Sequence, residues 1–157
     1  MIALGCALAA MLVQPPRAVN PATGWPVLRD EMMLEAPSTR TIDKGDQSHI
    51  DEAQRVLVRT DAEWTKLWQQ HHPDTPRPAV DFSKEMVVGV FMGSRPNAGF
   101  STTILSATAG NGALIVRYTE KVPAPGSISA QILTFPYHLV AIPKAAVSDV
   151  KFEKADK

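Results

Sequence analysis

Four histidines are the side chains best suited to chemistry here: His49, His71, His72 and His138. A metal centre of the common kind needs two or more ligands at set spacing, such as a His pair one helical turn apart. His71 and His72 are adjacent, so on a helix they project about 100° from each other. They close the segment 60–72, where a partly charged imidazole suits the negative end of the helix dipole. His138 follows Phe135-Pro136-Tyr137 in an apolar segment and reads as a buried side chain beside Tyr137. No ligand set assembles from this spacing, and the expectation is no metal and no cofactor.

Acid–base and nucleophilic chemistry find no better footing. Asp30, Glu31 and Glu35 lie in a poorly patterned stretch, and Asp61 and Glu63 are explained by a helix cap. Asp81 reads as a turn residue before Phe82. No nucleophile elbow or glycine-rich phosphate loop exists, since Gly110-Asn111-Gly112 is a hairpin turn. The expectation is a non-enzyme.

The elements that must position these residues come from 157 residues, enough for one domain with a core. Lys+Arg and Asp+Glu are equal at 16 each, so no net field steers the chain onto nucleic acid or an anionic membrane. Cys6 is the one cysteine, which rules out an intrachain disulfide and paired-cysteine zinc sites.

Residues 1–13, MIALGCALAAMLV, are apolar and uncharged. A run of ~13 residues is too short to span a bilayer, which takes about 20, but it has the length of a signal-peptide core. No basic residue precedes it, which implies a start further upstream. Residues 1–18 are expected to be a signal peptide cut near Ala18. Gly5-Cys6 hints at a lipid anchor, yet Ala3 and Leu4 are in the wrong order and the run stays apolar past Cys6, so ordinary cleavage is favoured. Residues 19–38, with Pro21, Pro26 and Pro37, read as a linker. The domain is assigned to 39–157.

Within it, residues 40–50 suggest a short strand and a turn at Lys44-Gly45-Asp46. Residues 53–60 alternate as a strand. Thr60 and Glu63 form a capping box for a helix whose Trp64, Leu67 and Trp68 share one face. These tryptophans read as core, with interface anchors the other option. EMVVGVFMG (85–93) has the continuous apolar character of a strand buried on both faces. Residues 99–110 and 113–122 form a hairpin around Asn111-Gly112. Residues 130–144 are a long apolar segment bent at Pro136, and 147–154 a final edge strand. The fold class is α+β: six or seven strands, mostly antiparallel, with one amphipathic helix near the start of the domain.

The corner between two of these strands, GSRPNAGF (93–100), is the candidate recognition element. As a plain hairpin, Pro96 fixes φ, Asn97 tolerates the left-handed region and Gly99 restarts the strand. As a recognition loop, Arg95 and Phe100 flank a rigid, proline-set tip that would lose little entropy on binding.

VDFSKEMVVGVFMGSRPNAGFSTTI (80–104) resembles the C-terminal domain of the PrcB family, through Asp81, Phe82, Val87, Val88, Gly93, Pro96, Gly99 and Phe100. The strand-to-helix entry VRTDAEWTKLW and the stretch PAPGSISAQILTFPYHLVAIPK extend the likeness to roughly 50–153. The resemblance implies an accessory or stabilising subunit of a bacterial protease complex, exported to the periplasm or cell envelope, that binds a protein partner and cleaves nothing. The six residues RPNAGF also resemble the loop that chagasin-type cysteine-protease inhibitors place in a protease cleft, with Pro96, Gly99 and Phe100 kept. The candidate partner-binding residues are Gly93, Arg95, Pro96, Asn97, Gly99, Phe100, Pro123 and Pro125. Two alternatives stand beside this reading. One is a protease inhibitor that inserts 95–100, and the other a small-molecule or carbohydrate binder using Trp64, Trp68 or Tyr137. Neither a nucleic-acid partner nor a membrane span is expected.

Overall fold

The computed structural model describes residues 39–155. The expected signal peptide, linker and Cys6 lie outside them. The centre of the fold is the apolar run, strand β3 (Glu85–Phe91). It is flanked by β2 (Gln54–Val58) and β6 (Tyr137–Pro143), and β6 is flanked in turn by β1 (Arg40–Gly45). All pairs in this four-stranded sheet are antiparallel. A second sheet holds β4 (Ser101–Gly110), β5 (Ala113–Lys121) and β7 (Asp149–Lys154). Here β4 and β5 are antiparallel, whereas β7 runs parallel to β5. One helix, α1 (Asp61–His71), follows β2. Among the described residues the architecture is mostly β with a single helix.

β3 needs an unbroken apolar sequence because both its faces are covered. Met86, Val88 and Val90 point to the second sheet, where they meet Ile104, Leu114, Val116 and Tyr118. Val87 and Phe91 point the other way, onto Trp64, Leu67 and Trp68 of α1. The domain therefore has three layers, helix on sheet on sheet, with two separate cores. Thr60 caps α1, accepting from the Glu63 N–H at 3.3 Å. The return half of the capping box is displaced by one residue: Glu63 Oε2 accepts from the Arg59 N–H at 2.9 Å. Each tryptophan also ties down the loop after the helix, Trp64 donating to Pro78 O at 3.0 Å and Trp68 to Thr75 O at 2.8 Å. Buried indoles need such partners.

Asn111 (φ 52°) and Gly112 (φ 77°) form the expected two-residue turn between β4 and β5. Two expectations need correction. The 93–100 corner is not a hairpin turn: both neighbours of β3 are already taken, so the chain leaves this sheet and β4 opens the other one. The apolar segment before Pro136 is not a strand. Only Thr134 and Phe135 make isolated bridges, and Ile132 and Leu133 face solvent.

Candidate functional site

Strand register decides which loops share an end. Phe91, the last residue of β3, pairs with Tyr137, the first of β6. Ser101, the first of β4, pairs with Lys121, the last of β5. The 92–100 corner and the 122–136 connection therefore emerge at the same end of the two sheets, and they are bonded to each other. Arg95 and Thr134 exchange backbone hydrogen bonds at 2.7 and 2.9 Å. Ala98 N–H donates to Ala130 O at 2.9 Å, and Thr134 Oγ1 donates to Asn97 O at 3.1 Å.

Two glycines make the close approach possible. Gly93 has φ 72°, and a Cβ there would sit 2.6 Å from Asp51 O. Gly99, at φ 102°, lies against Pro123, whose Cγ would be 3.1 Å from an added Cβ. All eight candidate residues thus gather in one loop cluster. Pro96, Gly99 and Pro125 are exposed and Arg95, Asn97, Phe100 and Pro123 half-buried, while Gly93 is buried as the anchor of the corner. Arg95 and Phe100 do not flank the tip as separate contacts: the guanidinium lies 5.7 Å from the Phe100 ring centroid and stacks on it.

The sequence reading missed the apolar surface beside them. Among the described residues, six large hydrophobic side chains are exposed, and four of these, Val122, Ile128, Ile132 and Leu133, belong to the 122–136 connection. An apolar set concentrated in one connection differs from the scattered single residues that normal surfaces carry.

Residues 86–143 match the family model described as PrcB C-terminal. This segment is similar to the PrcB C-terminal family. The match is narrower than the resemblance over 50–153. It runs from β3 through the corner, the hairpin and the 122–136 connection to the end of β6, so the loop cluster lies wholly within the matched residues. No curated protein and no solved structure matches the chain.

The rings proposed for a small-molecule site offer it no surface. Trp64, Trp68 and Tyr137 are 0, 4 and 5% exposed and pack in the core between α1 and the sheet. A groove nearby is lined instead by His49, Ile50, Asp51, Glu52, Gln54 and Gln70.

The histidines are less dispersed than their sequence positions suggest. His138 is buried and faces the second sheet, where its Nδ1 accepts from the Ile104 N–H at 2.8 Å and its Nε2 lies 3.1 Å from Thr41 Oγ1. Burial, with Lys44 adding to it, lowers its pKa to about 4. On the helix side, His71 is fully buried, and burial chiefly, then His72, lowers its pKa to about 4 against the opposing pull of Asp43. Burial first, then Asp43, raises the Tyr137 phenol above its usual value. The Tyr137 hydroxyl donates to Asp43 Oδ2 at 3.1 Å.

Proposed function

We propose that this chain is an exported, non-enzymatic protein-binding subunit, accessory to a protease or another envelope protein, and that it binds through the loop cluster 93–100 and 122–134. The observation that carries this reading is the concentration of exposed apolar side chains, Val122, Ile128, Ile132 and Leu133, in a connection bonded through its backbone to the corner. A pre-ordered loop surface loses little entropy on binding, and apolar side chains in its centre supply area that water leaves. The family match supports a protease-associated partner. No helix among the described residues is long and apolar enough to cross a membrane.

Site-specific photo-crosslinking in the cells that make the protein tests this. A photoreactive residue at position 128, in the connection, is expected to give a protein adduct. The same residue at position 66, on the exposed side of α1, is expected to give none. Equal adducts from both positions, or adducts only from position 66, would place the contact surface elsewhere.

A further inference from the structure

We propose that Asp43, His71 and His72 form a binding site for Zn²⁺ or a closely similar first-row divalent ion. Two local departures from regular structure bring them together. β1 carries an irregularity between Thr41 and Asp43 in its pairing with β6, which leaves one extra residue, Ile42. Such a bulge turns successive side chains toward one face. Ile42 packs against the helix-side core, and the next residue, Asp43, reaches the helix as well. At the other end, His72 leaves the helix at φ −144°, ψ 76°, so it does not diverge from His71 as consecutive helical residues would. The two ring centroids are 4.0 Å apart.

One donor atom from each residue lies within 4.8 Å of the others. His71 Nε2 is 3.5 Å and His72 Nε2 3.9 Å from the same oxygen, Asp43 Oδ2. Ligands about 2.0–2.1 Å from a tetrahedral zinc are about 3.3 Å apart, so the two separations from Asp43 need well under an ångström of contraction and that between the imidazoles about 1.5 Å at most.

The independent pointer is His71 Nε2 itself. It is buried without a hydrogen-bond partner and directed at the carboxylate from a distance beyond a good N–H···O bond. Such orphans are rare in protein interiors. Its other nitrogen, Nδ1, is 2.8 Å from Ser48 Oγ, which also accepts from the Ile50 N–H. With the His71 proton on Nδ1 and shared with Ser48, the Nε2 lone pair faces the carboxylate, an arrangement that a cation between them relieves. That is the supporting contact metal-bound imidazoles usually have. His49 fixes the helix end from outside, its backbone N–H and its Nδ1 lying 3.1 and 3.0 Å from the His71 carbonyl.

Two imidazoles and a carboxylate suit zinc and its neighbours rather than Mg²⁺ or Ca²⁺, which favour oxygen ligands throughout. Asp43 and His72 are 30 and 18% exposed, so the ion has a route in from solvent.

The test is titration of the full chain with Zn²⁺, and with Co²⁺ as a spectroscopic stand-in. Calorimetry, the visible spectrum of bound Co²⁺ and thermal unfolding are the readouts. We expect one ion per chain, the intense visible absorption of tetrahedral Co²⁺, and a melting temperature that rises with Zn²⁺ but not with Mg²⁺ or Ca²⁺. Affinity should fall at least tenfold in His72→Gln and in Asp43→Asn, both partly exposed sites where folding can be verified by circular dichroism. It should be unchanged in Lys66→Ser, on the exposed side of α1, and in Cys6→Ser. No binding by the wild-type chain at ~100 μM Zn²⁺ would overturn the proposal. So would wild-type affinity in a folded His72→Gln chain, or loss of binding in Cys6→Ser.

Discussion

Moving from pH 7.5 to pH 5 should destabilise the domain by about 2 kcal/mol through His138 alone. Burial holds this imidazole at a pKa of about 4, against 6.5 for an unperturbed one. The folded value lies below the unfolded one, so the unfolded chain takes up the proton first. The contribution is therefore complete above pH ~6.5 and is lost as pH falls toward 4. At pH 5 the unfolded imidazole is almost fully protonated and the folded one about a tenth protonated. The resulting ratio of roughly 30 between the two states corresponds to about 2 kcal/mol. Stability is a small difference, of order 5–15 kcal/mol, so the loss is easily measured. Urea unfolding at the two pH values, with a chelator present, should show a midpoint shift of roughly 1 M or more. His138→Gln keeps an acceptor for the Ile104 N–H and removes the titration. Its loss of stability between pH 7.5 and 5 should be smaller by about 2 kcal/mol. His71, also held low by burial, contributes to both chains and drops out of the comparison. An equal pH-dependent loss in the two chains would refute the reasoning, as would an NMR titration placing His138 near 6.5.

Thr60→Ala removes the oxygen that accepts from the Glu63 N–H and should destabilise the domain by about 1 kcal/mol in urea unfolding. Leu114→Ala empties a fully buried position between the two sheets, and about 3 kcal/mol should be lost in the same assay. Gly93→Ala combines a left-handed φ with a Cβ 2.6 Å from Asp51 O, and should lower stability by about 2 kcal/mol or more. Increased amide exchange at Ser94 and Arg95, which donate to Asp51 and Thr134, would accompany it as the corner loosens.

What the sequence makes legible is what local chemistry decides. The unbroken apolar run of β3 announces a strand covered on both faces, Asn111-Gly112 announces its hairpin, and Thr60 with Glu63 announces the start of α1. The corner residues could be named from Pro96, Gly93 and Gly99, because their conformational preferences are intrinsic. Their context could not be read so easily. Whether the chain turns back into the same sheet or crosses to another depends on β2 and β6 having taken both edges of β3, a long-range competition. The parallel placement of β7 beside β5 is of the same kind. Ile132 and Leu133 look like strand residues, yet the pairing of Tyr137 with Phe91 starts β6 only after Pro136 and leaves them outside the sheet. The Asp43, His71 and His72 cluster was hidden for a related reason. Its assembly needs a bulge at Ile42 and a cap conformation at His72, and neither leaves a motif in the sequence.

The central claim, that the loop cluster is the binding surface, is tested most directly by paired capture from the native envelope. The baits are the full wild-type chain, the chain carrying Ile132→Ser and Leu133→Ser, and a Lys66→Ser control. All three substituted residues are exposed, so folding should be unchanged and can be verified by thermal unfolding. The account predicts a protein captured by the wild-type and Lys66→Ser baits and depleted at least tenfold from the double variant. Equal recovery on all three baits would contradict it and move the binding surface away from residues 93–100 and 122–134.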